Sequence, residues 1–221
     1  EKEAFTLYER AIKLSRNDTV KAKALIATAS AHLQLLAASN RQPASRSSIV
    51  VADHINKAIL NYQQAWSLGC RSFDLLQGMA IAQAKLARTQ SGDRANEIYN
   101  RAYQYFTDAA TVQPLVHELF FNWGNALYRQ ARMNLDTIFP PRNQTLNQPT
   151  HNLNLTTIQQ CKLLIEQCIS DAATKYARAL ELKSCFNKAS INWVRAIKLL
   201  AEAQNKFNSI LPPHSQRETA L

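Results

Sequence analysis

The spacing of apolar residues along the chain is typical of helices. Large apolar and small residues recur three and four positions apart, which places them on one face of a helix. Four Gly and seven Pro among 221 residues are too few for the turns of a β-sandwich or barrel. The pattern predicts about eight helices, over residues 3–16, 19–39, 49–69, 72–90, 93–112, 115–134, 157–183 and 185–207.

Four of these helices carry the same short pattern, aromatic-x-x-Ala-x-x-aliphatic. The four copies are YERAIKL (8–14), YQQAWSL (62–68), FTDAATV (106–112) and YARALEL (176–182). A large apolar residue follows each copy at the same distance, and these residues are Leu25, Met79, Trp123 and Trp193. Each of the last three has an Ala three positions later. The chain therefore contains an internal repeat of paired helices, in which large and small residues interdigitate.

Gly124 lies in the interior of a predicted helix, beside the bulky Trp123. Gly is about 1 kcal/mol less favourable than Ala at such a position. The pattern indicates that a neighbouring helix crosses so closely that only a small residue fits. We therefore expect Gly124, Trp123 and Trp193 to have packing roles.

The repeat resembles the tetratricopeptide repeat (TPR) family. The resemblance is carried by FFNWGNALY (120–128) with Tyr105, Phe106 and Ala109 before it, and by Tyr176, Ala179 and INWVRAI (191–197). It covers about residues 5–207 and implies an all-α fold, a right-handed superhelix of antiparallel helix pairs in a single domain over 1–207. The chain departs from the family in spacing, because Met79, Trp123 and Trp193 are separated by 44 and 70 residues instead of the regular ~34. The repeats therefore carry insertions.

Two segments lack helical periodicity. The Pro- and Asn-rich residues 135–156 predict a flexible surface insertion, and residues 208–221 predict a disordered tail. The glycosylation sequons at Asn17, Asn143 and Asn154 are interpreted as chance matches, since no secretory signal accompanies them.

No sequence motif points to catalysis. HExxH, phosphate-binding Gly-rich loops and the Gly-x-Ser-x-Gly elbow are all missing, and the five His residues are scattered. The four Cys have no zinc-site spacing and are expected to be free thiols in a reducing compartment. We predict a non-enzymatic protein with no cofactor and no metal.

The location of the protein is predicted from its apolar runs. The longest run is far shorter than the ~18 to 20 residues that span a bilayer, and no charged-then-apolar leader opens the chain. Because the chain begins at Glu1 without a Met, we expect it to be a fragment of a longer protein. We predict an intracellular, cytoplasmic location.

In the TPR family, the first helix of each pair lines a groove that binds partners. The groove residues that the resemblance implies here are Gln77, Ile81, Lys85, Glu118, Asn122, Asn125, Arg129, Lys188, Asn192 and Arg195. Asn side chains can donate to and accept from a peptide backbone, while Arg and Lys bind carboxylates. The resemblance thus implies a scaffold or adaptor that binds a protein or peptide, and the Arg and Lys side chains favour an acidic partner. The alternative is that these positions are only solvated polar faces.

One TPR subtype grips the free carboxylate of heat-shock chaperone tails through a clamp of Lys, Asn, Asn, Lys and Arg. Asn122 and Lys188 fall at two of these positions. Gln77, Ile81 and Asn192 replace the other three. With two matches in five, the resemblance does not extend to a chaperone partner.

The net charge of +10 suggests a second kind of partner. The excess of Lys and Arg is spread along the chain, with its largest share after residue 157. A nucleic-acid-binding helical repeat is therefore the alternative function. It is less favoured, because a reader of one base per repeat needs regular repeats and because the aromatic residues lie on predicted packing faces.

Overall fold

All regular structure in residues 2–39, 48–140 and 154–211, the part of the chain that the computed structural model describes, is helical. The helices are α1 (Lys2–Leu14), α2 (Asp18–Ser39), α3 (Ser48–Ser67), α4 (Phe73–Ala87), α5 (Gly92–Val112), α6 (His117–Ile138), α7 (Leu155–Leu182) and α8 (Asn187–Asn208). This confirms the all-α prediction for the described residues. None of these helices is both long enough and apolar enough to cross a membrane.

The helices form two compact units, which we call unit 1 (Glu1–Leu115) and unit 2 (Val116–Leu221). In unit 1, each of the helices α1 to α4 packs against the next one along the chain, and α2 also contacts α4. In unit 2, α7 packs against both α6 and α8. Short connections join α4 to α5 and α7 to α8, which is the geometry of antiparallel helix pairs. The domain predicted over residues 1–207 includes helices of both units.

Polar side chains fix where several helices begin. Asn17 Oδ1 accepts a hydrogen bond from the Thr19 backbone N–H at 2.8 Å, and Asn154 Oδ1 accepts one from the Thr157 N–H at 2.7 Å. Ser72 Oγ does the same for the Leu75 N–H at 3.3 Å. Such caps satisfy N–H groups that have no partner within the helix. Two of the three Asn-x-Thr sequences therefore have a structural role as helix N-caps.

The predicted insertion over 135–156 is shorter than the pattern suggested, because α6 continues to Ile138 and α7 begins at Leu155. Leu135 is fully buried, and the ring of Phe139 lies 5.1 Å from that of Phe207. The end of α6 thus belongs to the core of unit 2. Residues 141–153 and 212–221, which hold the rest of the predicted insertion and most of the predicted tail, lie outside the described residues.

The repeated aromatic-x-x-Ala face is a packing face in three of its four copies. Its buried residues are Tyr62, Ala65, Phe106, Ala109, Tyr176 and Ala179, each at most 1 % exposed. In the first copy, Tyr8 and Ala11 are only half-buried. This copy lies on α1, which packs mainly against α2. The pattern therefore predicts a buried face correctly in the copies on α3, α5 and α7.

The close crossing predicted at Gly124 is confirmed. A Cβ atom at Gly124 would lie 2.7 Å from Cε1 of Tyr176 on α7, well inside van der Waals contact. Trp123 is half-buried, with the Lys175 ammonium 3.7 Å from its ring centre. The packing role predicted for Trp193 is wrong, because this side chain is 42 % exposed. Among the described residues, no helix follows α8 to cover it.

Two histidines meet where α2 packs against α3. His32 Nδ1 lies 3.0 Å from His54 Nδ1, so one ring donates a hydrogen bond to the other. The Phe5 ring lies 4.6 Å from the His32 ring. Burial lowers the pKa of His32, and so do the positive charges of His54 and Lys57, while Asp53 opposes the shift. The pair is therefore stable with at least one neutral ring.

We expect the stability of unit 1 to fall as the pH drops below about 6.5. Because the pKa of His32 is lower in the folded chain than its usual 6.5, the unfolded chain binds the proton first, and acid favours unfolding. His32→Asn should reduce the change in melting temperature between about pH 7.5 and about pH 5.5. Gln63→Asn, at an exposed and non-titrating position of α3, is the matched control and should leave that change intact. Equal pH dependence in the wild type and His32→Asn would contradict this assignment.

Candidate functional site

A groove of about 950 Å³ lies between α2 and α4 in unit 1, and we call it the unit 1 groove. The two helices form its walls, Tyr62 of α3 lies at its base, and the α3–α4 turn closes one end. The wall residues used below are Lys23, Ile26, Ser30 and Gln34 from α2, and Asp74, Gln77, Gly78, Ile81 and Lys85 from α4.

The stripe predicted on α4 lines this groove. Gln77, Ile81 and Lys85 are four residues apart, so they lie one above the other on the same face of the helix. They combine an amide, an aliphatic side chain and an ammonium group. This face can therefore contact an extended chain through hydrogen bonds, apolar packing and charge.

The shape of the groove depends on Gly78, which the sequence reasoning missed. A Cβ atom at Gly78 would overlap the hydroxyl end of the Tyr62 ring. The Tyr62 hydroxyl also lies 3.1 Å from Ser30 Oγ of α2, so one tyrosine contacts both walls. Burial raises the pKa of Tyr62, which keeps the hydroxyl neutral. The signal in the sequence was a glycine beside Met79 inside a helix, as Gly124 is beside Trp123.

The groove is basic. Its described lining residues include three cationic side chains, those of Lys23, Arg71 and Lys85, and one acidic side chain, that of Asp74. Arg71 is held in place, since its Nη1 donates to the backbone carbonyls of Trp66 at 2.8 Å and of Cys70 at 2.7 Å. Its guanidinium carbon lies 3.5 Å from the Trp66 ring centre. An anionic ligand would therefore meet an excess of positive charge.

A smaller pocket of about 180 Å³ lies between α6 and α8 in unit 2, and we call it the unit 2 pocket. Its lining residues are Asn125, Tyr128, Arg129, Asn192 and Arg195. Asn125 Oδ1 accepts hydrogen bonds from Asn192 Nδ2 at 2.8 Å and from the Tyr176 hydroxyl at 2.9 Å. Arg195 Nη1 donates to Asn192 Oδ1 at 3.2 Å. Both amide oxygens are thus engaged, and the two arginines give the pocket its charge.

Four predicted residues, Asn125, Arg129, Asn192 and Arg195, come together in the unit 2 pocket. The other three residues predicted on α6 and α8 do not line it. Glu118 Oε1 lies 2.9 Å from the ring nitrogen Nε2 of His117. Asn122 is half-buried, and Lys188 is exposed. The predicted stripes on α6 and α8 are therefore only partly assembled into one site.

The described residues contain no group of three or more His, Cys, Asp or Glu that could hold a metal ion. No disulfide joins Cys70, Cys161, Cys168 and Cys185. Cys168 is buried, and its thiol donates to Gln130 Oε1 at 3.4 Å. Burial raises the pKa of this thiol to about 12, so it is not a nucleophile at neutral pH.

Comparison with solved structures gives a loose structural match, while the two sequence comparisons give none. No protein-family model matches the chain, and no curated protein is significantly similar to it. Among solved structures, a thermophilic TPR protein of Thermus thermophilus aligns with 89 % of this chain and 98 % of its own, at 14 % identity and a TM-score of 0.33.

Proposed function

We propose that this chain is a non-enzymatic protein-interaction module that binds an extended, acidic segment of a partner protein in the unit 1 groove. The observation that carries this proposal is the groove itself. Its volume, about 950 Å³, is at the upper end of the ~300–1,000 Å³ typical of ligand clefts. Ile26 and Ile81 provide apolar contact, Gln34 and Gln77 can bind a peptide backbone, and Lys23 and Lys85 favour carboxylates.

The internal repeat supports a TPR-like mode of binding. The groove walls α2 and α4 lie on either side of α3, which packs against both of them. The equivalent helices α6 and α8 flank α7 and line the unit 2 pocket. We infer that the unit 2 pocket is a second contact for an acidic side chain, through Arg129 and Arg195. The unit 1 groove and the unit 2 pocket would then each bind a different part of the partner.

A protein partner is favoured over nucleic acid by the position of the aromatic side chains. Sequence-tolerant binding of single strands relies on exposed rings that stack on bases. Among the described Phe, Tyr and Trp side chains, Trp193 alone is exposed, and it does not line the unit 1 groove or the unit 2 pocket. The basic charge can therefore attract the phosphates of an RNA. The described lining of the unit 1 groove and the unit 2 pocket, however, has no exposed ring on which a base could stack.

Selection of displayed random peptides on the immobilised chain tests this proposal. We expect enrichment of peptides with several Asp and Glu residues, because the groove carries an excess of positive charge. Enriched peptides without acidic residues would contradict the acidic partner. Filter binding of RNA at several salt concentrations is the second arm. Submicromolar affinity for RNA with a steep salt dependence would show that the partner is a nucleic acid and not a protein.

A further inference from the structure

One face of α8 is apolar and, in the part of the chain that the structure describes, exposed. We call it the α8 row. It consists of Val194, Ile197 and Ala201, with Ser190 at its start and Trp193 beside it. Val194 is 46 % exposed and Ile197 is 47 % exposed. The spacing of three and four residues places the row on one side of the helix. The core face of the same helix, with Ala196, Leu199 and Ala203, is buried against unit 2.

The internal repeat shows that this row is a packing face elsewhere in the chain. The equivalent residues, 70 positions earlier on α6, are Phe120, Gly124, Leu127 and Ala131, and those on α4 are Leu76, Ala80, Gln83 and Ala87. All eight are buried. Only on α8 is the row exposed, although its residues are as apolar as those of the other two.

The element that covers the row on α6 is the helix α7. α6 packs against α7, and Gly124 of the row contacts the ring of Tyr176. α7 presents Tyr176 and Ala179 on one face. The bulky Tyr176 ring fits beside a small residue of the row, and the small Ala179 leaves space for a large one. In unit 1, α4 packs in the same way against the helix that follows it, α5.

We propose that the α8 row docks an amphipathic helix of a partner protein, which carries an aromatic-x-x-Ala face and lies antiparallel to α8, as α7 lies on α6. Charge favours a helix with an acidic residue beside its apolar face, because the exposed Lys198 borders the row, four residues after Val194 and three before Ala201. The acidic residue of α8, Glu202, is already paired with Arg132 and Lys206. The α8 of a second copy would bring like charges together. This surface is distinct from the unit 1 groove and does not depend on it.

The first test uses a labelled peptide of residues 162–182, the chain's own α7 segment, as the docking helix. Its fluorescence anisotropy should rise on titration with the full chain, and a Tyr176→Ala peptide should bind about tenfold more weakly or worse. A protein with Val194→Asp and Ile197→Asp should lose binding to a similar extent. Ile197→Gln, a milder change at the same exposed site, should also weaken it. Far-UV circular dichroism verifies that each variant is folded.

The matched control is Leu7→Asp with Leu60→Asp, which makes the same chemical change at two exposed apolar residues of unit 1. Peptide binding should survive this change, and it should also survive Lys23→Glu with Lys85→Glu in the unit 1 groove. Equal loss of binding in the control, or no binding of the wild-type peptide, would overturn the proposal. Sedimentation equilibrium tests whether a second copy of the chain covers the row instead. A dimer that Val194→Asp with Ile197→Asp converts to a monomer would mean that a second copy covers the row.

Discussion

Gly124→Ala is expected to destabilise unit 2, although the same change in an unobstructed helix is stabilising. Ala is about 1 kcal/mol more favourable than Gly in a helix interior. At this position its Cβ would lie 2.7 Å from Tyr176 Cε1. The Tyr176 ring is fully buried, and its hydroxyl donates to Asn125 at 2.9 Å, so the ring has little room to retreat. Gly124→Leu should cost ~1–3 kcal/mol or more through overpacking.

Unfolding in denaturant, followed by tryptophan fluorescence, measures this effect. A double-mutant cycle isolates its cause, because in a Tyr176→Leu background the change Gly124→Ala should become neutral or stabilising. Ser170→Leu introduces the same side chain at an exposed position of α7 and should leave the midpoint nearly unchanged. A Gly124→Leu variant as stable as the wild type would show that the helices do not cross closely at Gly124.

The crossing could be predicted because its signal is local. A glycine inside a helix has a known free-energy cost, and a bulky neighbour narrows the explanation to close packing. The same reasoning applies to Gly78 beside Met79, where a Cβ would overlap Tyr62. Gly78 is harder to recognise because it precedes the large residue, whereas Gly124 follows it. The repeat aligns the large residues Met79 and Trp123, but it does not determine whether the small residue precedes or follows them.

The α2 wall of the unit 1 groove could not be predicted from the repeat. The first copy matches the pattern least well in its second half, so Lys23 and Ser30 have no marked counterparts. The wall is defined by tertiary contacts, since Tyr62 of α3 reaches Ser30 at 3.1 Å. Likewise, the hydrogen bond between Asn125 and Asn192 joins residues 67 positions apart. Periodicity indicates that such residues share a helical face, but not which residue of another helix they contact.

Trp193 shows a different limit of the same reasoning. Its surroundings, INWVRAI, match FNWGNAL around Trp123, yet the row beside it is buried on α6 and exposed on α8. A repeat specifies the face that a helix offers to its neighbour. Burial depends on whether a neighbour is present, which the residue pattern of α8 does not contain. The opposite error occurs at the end of α6. There the pattern predicted an exposed insertion, but Phe139 belongs to the core through its contact with Phe207.

Lys23→Glu with Lys85→Glu is expected to abolish most binding of a selected acidic peptide. The two side chains lie on opposite walls of the unit 1 groove, so an acidic segment between them meets both. A single exposed ion pair contributes only ~0.2–1 kcal/mol, but reversal turns two attractions into two repulsions. We expect the Kd from fluorescence anisotropy to rise about tenfold or more. The helix content should be unchanged, because Lys23 is exposed and Lys85 is half-buried.

The control is Lys13→Glu with Arg94→Glu, two exposed residues outside the groove lining. This variant changes the net charge by the same amount, so any loss of long-range attraction is equal in the two proteins. The groove therefore predicts a difference in Kd between them at every salt concentration, although the difference should shrink as salt screens exposed charges. If both double mutants lose binding equally, the peptide is attracted by the overall basic charge, and the unit 1 groove is not its site.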